Sequence, residues 1–220
     1  MGGLIDQTHG RLNIAGHVMS WGVAEAPFPN ERESGDRYVV RPATDGILIA
    51  AVDGTGHGAE AAAAAKIAAD TLEAYVRDSP IALVLRCHEQ LKGTRGAVMT
   101  LAFLHLRDRT LTWLGVGNVE AVLFHRARLS DMTRHRALLR AGVIGYRLPP
   151  LHAEILPLKP FDTLIIATDG IKPDFDEGLT LDGAPEHIAD GILARHRSGM
   201  DDALVVVARY LGGDRERSPA

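Results

Sequence analysis

The sequence predicts an α+β fold in which two antiparallel sheets pack together with helices on the outside. Three observations carry that expectation. Short β-prone runs follow one another with connections of a few residues, as antiparallel meanders do. Helical signals arrive as a consecutive pair rather than alternating with strands, which argues against a parallel α/β sheet. The run Ile47 to Val52 is apolar throughout, so that strand is expected to be covered on both faces.

The elements follow in order. From Arg11 to Ala24, Leu12, Ile14, Val18 and their neighbours alternate with mostly polar residues, predicting a first strand or hairpin. Pro27 to Gly35 is a polar loop, closed by Asp36 ahead of the β-prone Tyr38-Val39-Val40. Thr44-Asp45-Gly46 is a turn, and the buried strand then runs into Asp53-Gly54-Thr55-Gly56-His57-Gly58. Alanine, the best helix former, fills the next stretch and predicts a helix to about Val76. The run Ala61 to Ala65 would let a neighbour approach closely. Asp78-Ser79-Pro80 signals a second helix start, with Ala82, Leu85 and His88 spaced along one side as far as Leu91.

Gly93 to Gly96 is a turn. Three strands are then expected in quick succession, 97–106, 110–114 and 119–125, as antiparallel neighbours because their connections are short. The basic stretch Ser130 to Pro150, with Arg134, Arg136, Arg140 and Arg147, reads as a solvated flap. Short strands follow at 153–156 and 163–168, the latter ending in Asp169-Gly170. A helix is expected over 184–196 and a last strand over 203–210. The reading is one domain over 11–210, with flexible termini at 1–10 and 211–220.

Composition bounds the function. The 220 residues are 46% hydrophobic and 24% charged, enough for a full core. Aromatics are only 5%, so that core rests on Leu, Ile, Val and Ala. A net charge of −4 gives no bulk electrostatic grip on nucleic acid or an anionic membrane. The lone cysteine, Cys87, falls in a helix and reads as a small core residue, which fits a reducing compartment. No basic-then-apolar leader opens the chain and no apolar run approaches membrane-spanning length, so a cytoplasmic location is expected.

The chemistry lies in the aspartates. Asp36 stands at a strand entry, Asp53 and Asp169 end apolar strands in Asp-Gly, and Asp201 stands just before the final strand. Gathered at one sheet edge, these carboxylates would repel each other unless neutralised. A divalent cation is the usual remedy, and oxygen-only ligands favour Mg²⁺ or Mn²⁺. Four carboxylates exceed what one magnesium normally takes from protein, so two ions sharing Asp53 are expected, an arrangement suited to phosphoester hydrolysis. The glycines before the helix lack the Gly-Lys-Ser/Thr ending of a P-loop, and an aspartate there would repel phosphate.

Ser34-Gly35-Asp36, Asp53-Gly54-Thr55-Gly56-His57-Gly58, Thr168-Asp169-Gly170 and Asp201-Asp202 together resemble the motifs of the PPM family of metal-dependent serine/threonine phosphatases. The likeness is to its bacterial branch, which includes SpoIIE, RsbU and RsbX, and most of all to the small stand-alone stressosome phosphatases. It spans about residues 11 to 210, with support from Lys92 to Ala97, Gly115 to Val119 and Ala141 to Tyr146.

The resemblance implies a central antiparallel β-sandwich flanked by helix pairs, in four αββα layers. It implies metal-site groups at Asp36, Asp53, the Gly54 carbonyl, Asp169 and Asp201, with Asp36, Asp53 and Asp169 catalytic and Asp53 bridging two ions. It further implies attack by metal-bound water without a phosphoenzyme, on phosphoserine or phosphothreonine of STAS-domain stressosome regulators. Asp202 is the alternative ligand to Asp201.

Eukaryotic members carry histidine directly after the matching Asp-Gly. Thr55 stands there, and His57 is read as part of the turn that launches the helix rather than as a general acid. Arg32 lies near the place of their phosphate-binding arginine, with a solvated loop residue as the equal alternative. Two other readings of the whole remain: a PPM phosphatase acting on an anti-anti-sigma factor, and an inactive binding module of the same fold.

Overall fold

The computed structural model describes residues 8–31, 33–128 and 131–213. Arg32 lies outside the described residues, so its sequence reading is not placed.

Two sheets form the centre. The first has the order β1 (His9–Ile14), β2 (His17–Ala26), β12 (Ala203–Gly213), β11 (Thr163–Ala167), β7 (Glu120–Arg128), β8 (Asp131–Arg136), antiparallel throughout. The second runs β10 (Glu154–Pro157), β6 (Thr110–Val116), β5 (Ala97–His105), β4 (Gly46–Gly54), β3 (Asp36–Pro42), with β9 (Leu139–Arg140) parallel on β6. Against the second sheet lie α1 (Ala59–Ala74) and α2 (Pro80–Gln90). Against the first lies α3 (Pro185–His196).

Strand periodicity explains the layering, because successive side chains point to opposite faces. In β4, Ile47, Ile49 and Ala51 enter the core between the sheets, beside Trp113, Ile166 and Leu204. Leu48, Ala50 and Val52 face the helices, beside Ala64, Ala65, Ala68, Leu83, Val84 and Cys87. Each fully buried Leu, Ile or Val contributes about 1.5–3 kcal/mol of apolar burial, and the alanines let α1 lie close. At Gly54 an added Cβ would stand 2.0 Å from the Ala61 carbonyl oxygen, so only glycine lets α1 seat over the end of β4.

Five expectations change. Helix pairs were expected on both faces. Among the described residues the first sheet carries one helix, with Phe175 and Leu179 of the preceding segment filling the layer beside it. The strands 110–114 and 119–125 were expected to pair, but β6 and β7 lie in different sheets. Gly117 makes that crossing with a φ of 96°, and an added Cβ there would strike the Val98 side chain.

The expected solvated flap holds the edge strand β8, whose Arg134 and Arg136 both pair with the buried Asp176. On α2 the buried stripe is Leu83, Val84 and Cys87, a different phase of the helical period, and Leu85 is exposed. Ordered strand also extends past the expected bounds, from His9 to Gly213. Among the described residues no helix is long and apolar enough to cross a membrane.

Candidate metal centre

The four aspartates meet at one end of the sandwich, two from each sheet. Asp36 opens β3 and is the register partner of Asp53 near the end of β4. Asp169 follows β11 and Asp201 precedes β12, adjacent strands of the other sheet. The two Asp-Gly strand ends therefore face each other across the sandwich.

Neutral donors hold the carboxylates. The Thr168 hydroxyl donates to Asp36 Oδ2 at 2.8 Å and accepts the Leu204 amide at 2.9 Å. One buried hydroxyl thereby ties an acidic residue of one sheet to a strand of the other. Asn118 Nδ2 donates to Asp169 Oδ2 at 2.6 Å. Asp201 Oδ1 accepts the Asp202 amide at 2.8 Å. Asp202 itself is buried, and its two oxygens accept the amides of Phe28 at 2.8 Å and Gly35 at 2.9 Å. Those bonds anchor the 27–35 loop that delivers Asp36.

The electrostatics are those of a crowded acidic cluster. Burial, then the charges of Asp36, Asp169, Asp201 and Asp202, push the Asp53 carboxyl up to about 9. Burial also raises Asp36 to about 8, opposed by the Thr168 hydrogen bond and reinforced by Asp202, Asp169 and Asp201. Asp169 is raised by burial and by Asp201, with Asn118 opposing. Among the described residues no lysine or arginine side chain pairs with Asp36, Asp53, Asp169 or Asp201.

These residues fit a hard divalent cation. The donors are all oxygen, several are desolvated, and among the described residues no lysine or arginine balances them. Among the described residues no three acidic, histidine or cysteine side chains converge on one point. The carboxylates are near enough to repel, each charge raising its neighbours.

The remaining sequence candidates fall outside the cluster. His57 Nδ1 lies 3.3 Å from Glu31 Oε1, and its ring stacks on Phe28 with centroids 4.6 Å apart. It precedes Gly58, the N-cap of α1, which no side chain caps. Cys87 is buried, and burial pushes its thiol up to about 12.

Thr168 and Asn118 bond to two of the carboxylates, and the sequence reading included both in the resembling stretches without giving either a role. Thr168 carried a signal, as the one hydroxyl ending an otherwise apolar strand. Asn118 had only its place after Gly117. A small cavity of about 210 Å³ adjoins Asp169, lined by Asn118, Glu120, Pro173 and Phe175. A larger one, about 570 Å³, lies at the opposite end of β4 and β5 beside Phe103 and His105 and is lined by none of Asp36, Asp53, Asp169 and Asp201.

A helix-flanked sandwich with this acidic end defines a PPM-type phosphatase domain. The family model described as Stage II sporulation protein E (SpoIIE) matches residues 43–211, and the chain belongs to that family. The match begins after Asp36 and includes Asp53, Asp169 and Asp201.

Phosphoserine phosphatase RsbX of Bacillus subtilis (strain 168) is 23% identical over 176 residues, covering 80% of this chain and 86% of that protein. The crystal structure of RsbX in complex with magnesium has a TM-score of 0.80 at 20% identity, covering 92% of this chain and 99% of its own. A chain solved in work on the bacterial stressosome, described as a modular system adapted to control secondary messenger signalling, has a TM-score of 0.81 at 28% identity. It covers 87% of this chain and 99% of its own.

Proposed function

We propose that the chain removes phosphate from phosphoserine or phosphothreonine on STAS-domain proteins of a stressosome, as an RsbX-like phosphatase. The observation that carries this reading is the acidic end itself: Asp36 and Asp53 in register, opposite Asp169 and Asp201, without a balancing cation among the described residues. RsbX supports the phosphoserine specificity, and the stressosome chain supports the setting.

Two divalent cations at Asp36, Asp53, the Gly54 carbonyl, Asp169 and Asp201 would activate water and neutralise phosphoryl oxygens. Asp53, in register with Asp36 and raised by burial and by the charges of Asp36, Asp169 and Asp201, would be the carboxylate shared by the two ions. Asp201 is the free-facing member of its pair, because Asp202 spends both oxygens on backbone amides. Thr168 fixes Asp36 and Asn118 fixes Asp169, so both carboxylates are aimed before a cation arrives. A buried thiol raised to about 12 cannot serve as nucleophile, which is consistent with attack by water and no phosphoenzyme.

Phosphate release from a serine-phosphorylated STAS-domain protein, with Mg²⁺ or Mn²⁺ and after exhaustive chelation, tests the reading. Metal-dependent release is expected. Release that survives chelation would sink the mechanism.

A further inference from the structure

Two exposed apolar side chains stand out, and both lie at the acidic end. Tyr146 is 85% exposed and Met200 80%, more than any other large hydrophobic residue described. Single exposed apolar residues are ordinary on a protein surface. The position of these two is less so, because they flank the carboxylates from opposite sheets.

Met200 directly precedes Asp201, on the loop held to Gly170 by the Ser198 amide at 2.8 Å. Tyr146 stands in a tight turn tied to the second sheet. Ile144 and Ala97 exchange backbone hydrogen bonds of 2.8 and 3.0 Å, and Ala97 is the register partner of Gly54. Ile144 is therefore two strand spacings from Gly54, about 10 Å.

The Tyr146 turn is built to hold still. Val143 and Arg147 bond through their backbones, and the Gly145 amide donates to His88 Nδ1 at 2.9 Å. Arg147 beside Tyr146 is exposed, and its side chain has no ion pair among the described residues. Tyrosine and arginine are among the residue types enriched where protein interfaces hold most of their binding energy. A small phosphomonoester seated on the carboxylates spans neither flank. A folded protein surface around a phosphoserine spans both.

We infer that Tyr146, Arg147 and Met200 form a docking rim for a folded phosphoprotein, with apolar surface around its phosphoserine and an acidic side chain opposite Arg147. The inference rests on the phosphatase reading and deepens it. Substrate choice then lies in the protein surface carrying the phosphoserine, and the carboxylate end serves every phosphomonoester alike.

Three substrates test it with Mg²⁺ or Mn²⁺ present: a serine-phosphorylated STAS-domain protein, the unstructured phosphopeptide from around its phosphoserine, and p-nitrophenyl phosphate. The wild type is expected to favour the folded protein over the peptide in kcat/KM. Combined Tyr146→Ala and Met200→Ala should lower kcat/KM on the folded protein at least tenfold, mostly through KM. The other two substrates should change less than twofold. Arg147→Glu should act in the same direction.

Equal losses on all three substrates, or no loss on the folded protein, would overturn the rim. A wild type that cleaves p-nitrophenyl phosphate but treats protein and peptide alike overturns the rim and leaves the phosphatase reading standing. A wild type inactive on all three overturns both.

Discussion

At the scale of single residues, the site is a set of carboxylates that the fold holds together against their repulsion. Asp53 bears most of it, being buried and facing Asp36, Asp169 and Asp201. Asp53→Asn should therefore abolish turnover, by about 10³-fold or more if one bridging ligand organises both ions, while raising the melting temperature of the chelated protein near pH 8. Steady-state rates and thermal scans of the same preparation check both, and a full-rate variant refutes the assignment. Asp201 and Asp202 should separate cleanly. Asp201→Asn should weaken metal binding with little loss of stability. Asp202→Ala should destabilise the chain by about 1–3 kcal/mol, because the half-buried Phe28 amide and the buried Gly35 amide lose their acceptors. Metal titration by calorimetry and urea denaturation tell the two apart.

The same residues show what was legible. The aspartates were readable because each stands at a strand boundary, and a strand ending in Asp-Gly is a local pattern. Thr168 and Asn118 work across long separations, to residues 132 and 51 positions away. No window of sequence contains such pairs. Asn118→Ala should weaken metal affinity about 10–100-fold by freeing Asp169, without abolishing activity at saturating metal. Unchanged affinity would leave Asn118 without a positioning role.

At the scale of elements, the centre depends on how closely α1 seats on β4. The alanine run was readable as a close-packing surface, and Ala61, Ala64, Ala65 and Ala68 are all buried. The unreadable part was the crossing from β6 to β7. A three-residue connection marks an antiparallel hairpin far more often than a change of sheet, and the Gly117-over-Val98 contact marks the difference. The basic stretch was read in part. Arg134 and Arg136 are exposed, as expected, but both also pair with the buried Asp176, about forty residues on. Gly54→Ala is the sharpest probe at this scale. Its Cβ would meet the Ala61 carbonyl at 2.0 Å, so α1 must lift away from the Asp53 turn. A loss of about 3 kcal/mol or more is expected from such overpacking, with metal affinity falling as well. A variant of wild-type stability by chemical denaturation would show that α1 is not seated as described.

At the scale of the whole molecule, the acidic end couples folding to protons and to metal through the same carboxylates. Unfolded, Asp36 and Asp53 titrate near the ordinary value of about 3.9. Folded, they are raised to about 8 and about 9. Between these limits the folded chain binds more protons than the unfolded one, so stability falls as pH rises. Their contribution is fully present below about pH 4 and is lost as pH passes through 8 to 9. A divalent cation replaces those protons, and its stabilising effect grows as they leave. Thermal scans in chelator should therefore show a melting temperature falling from pH 5 to pH 9, and saturating Mg²⁺ should flatten that decline. Other groups also titrate over this range, so the diagnostic quantity is the difference between Asp53→Asn and the wild type. In chelator that difference should favour the variant increasingly as pH rises, because the variant no longer has to ionise a carboxylate inside the cluster. With Mg²⁺ it should reverse sign if, as proposed, Asp53 is a ligand that only the wild type keeps. A difference independent of pH and of metal would mean that Asp53 is a turn residue and the acidic end holds no cation.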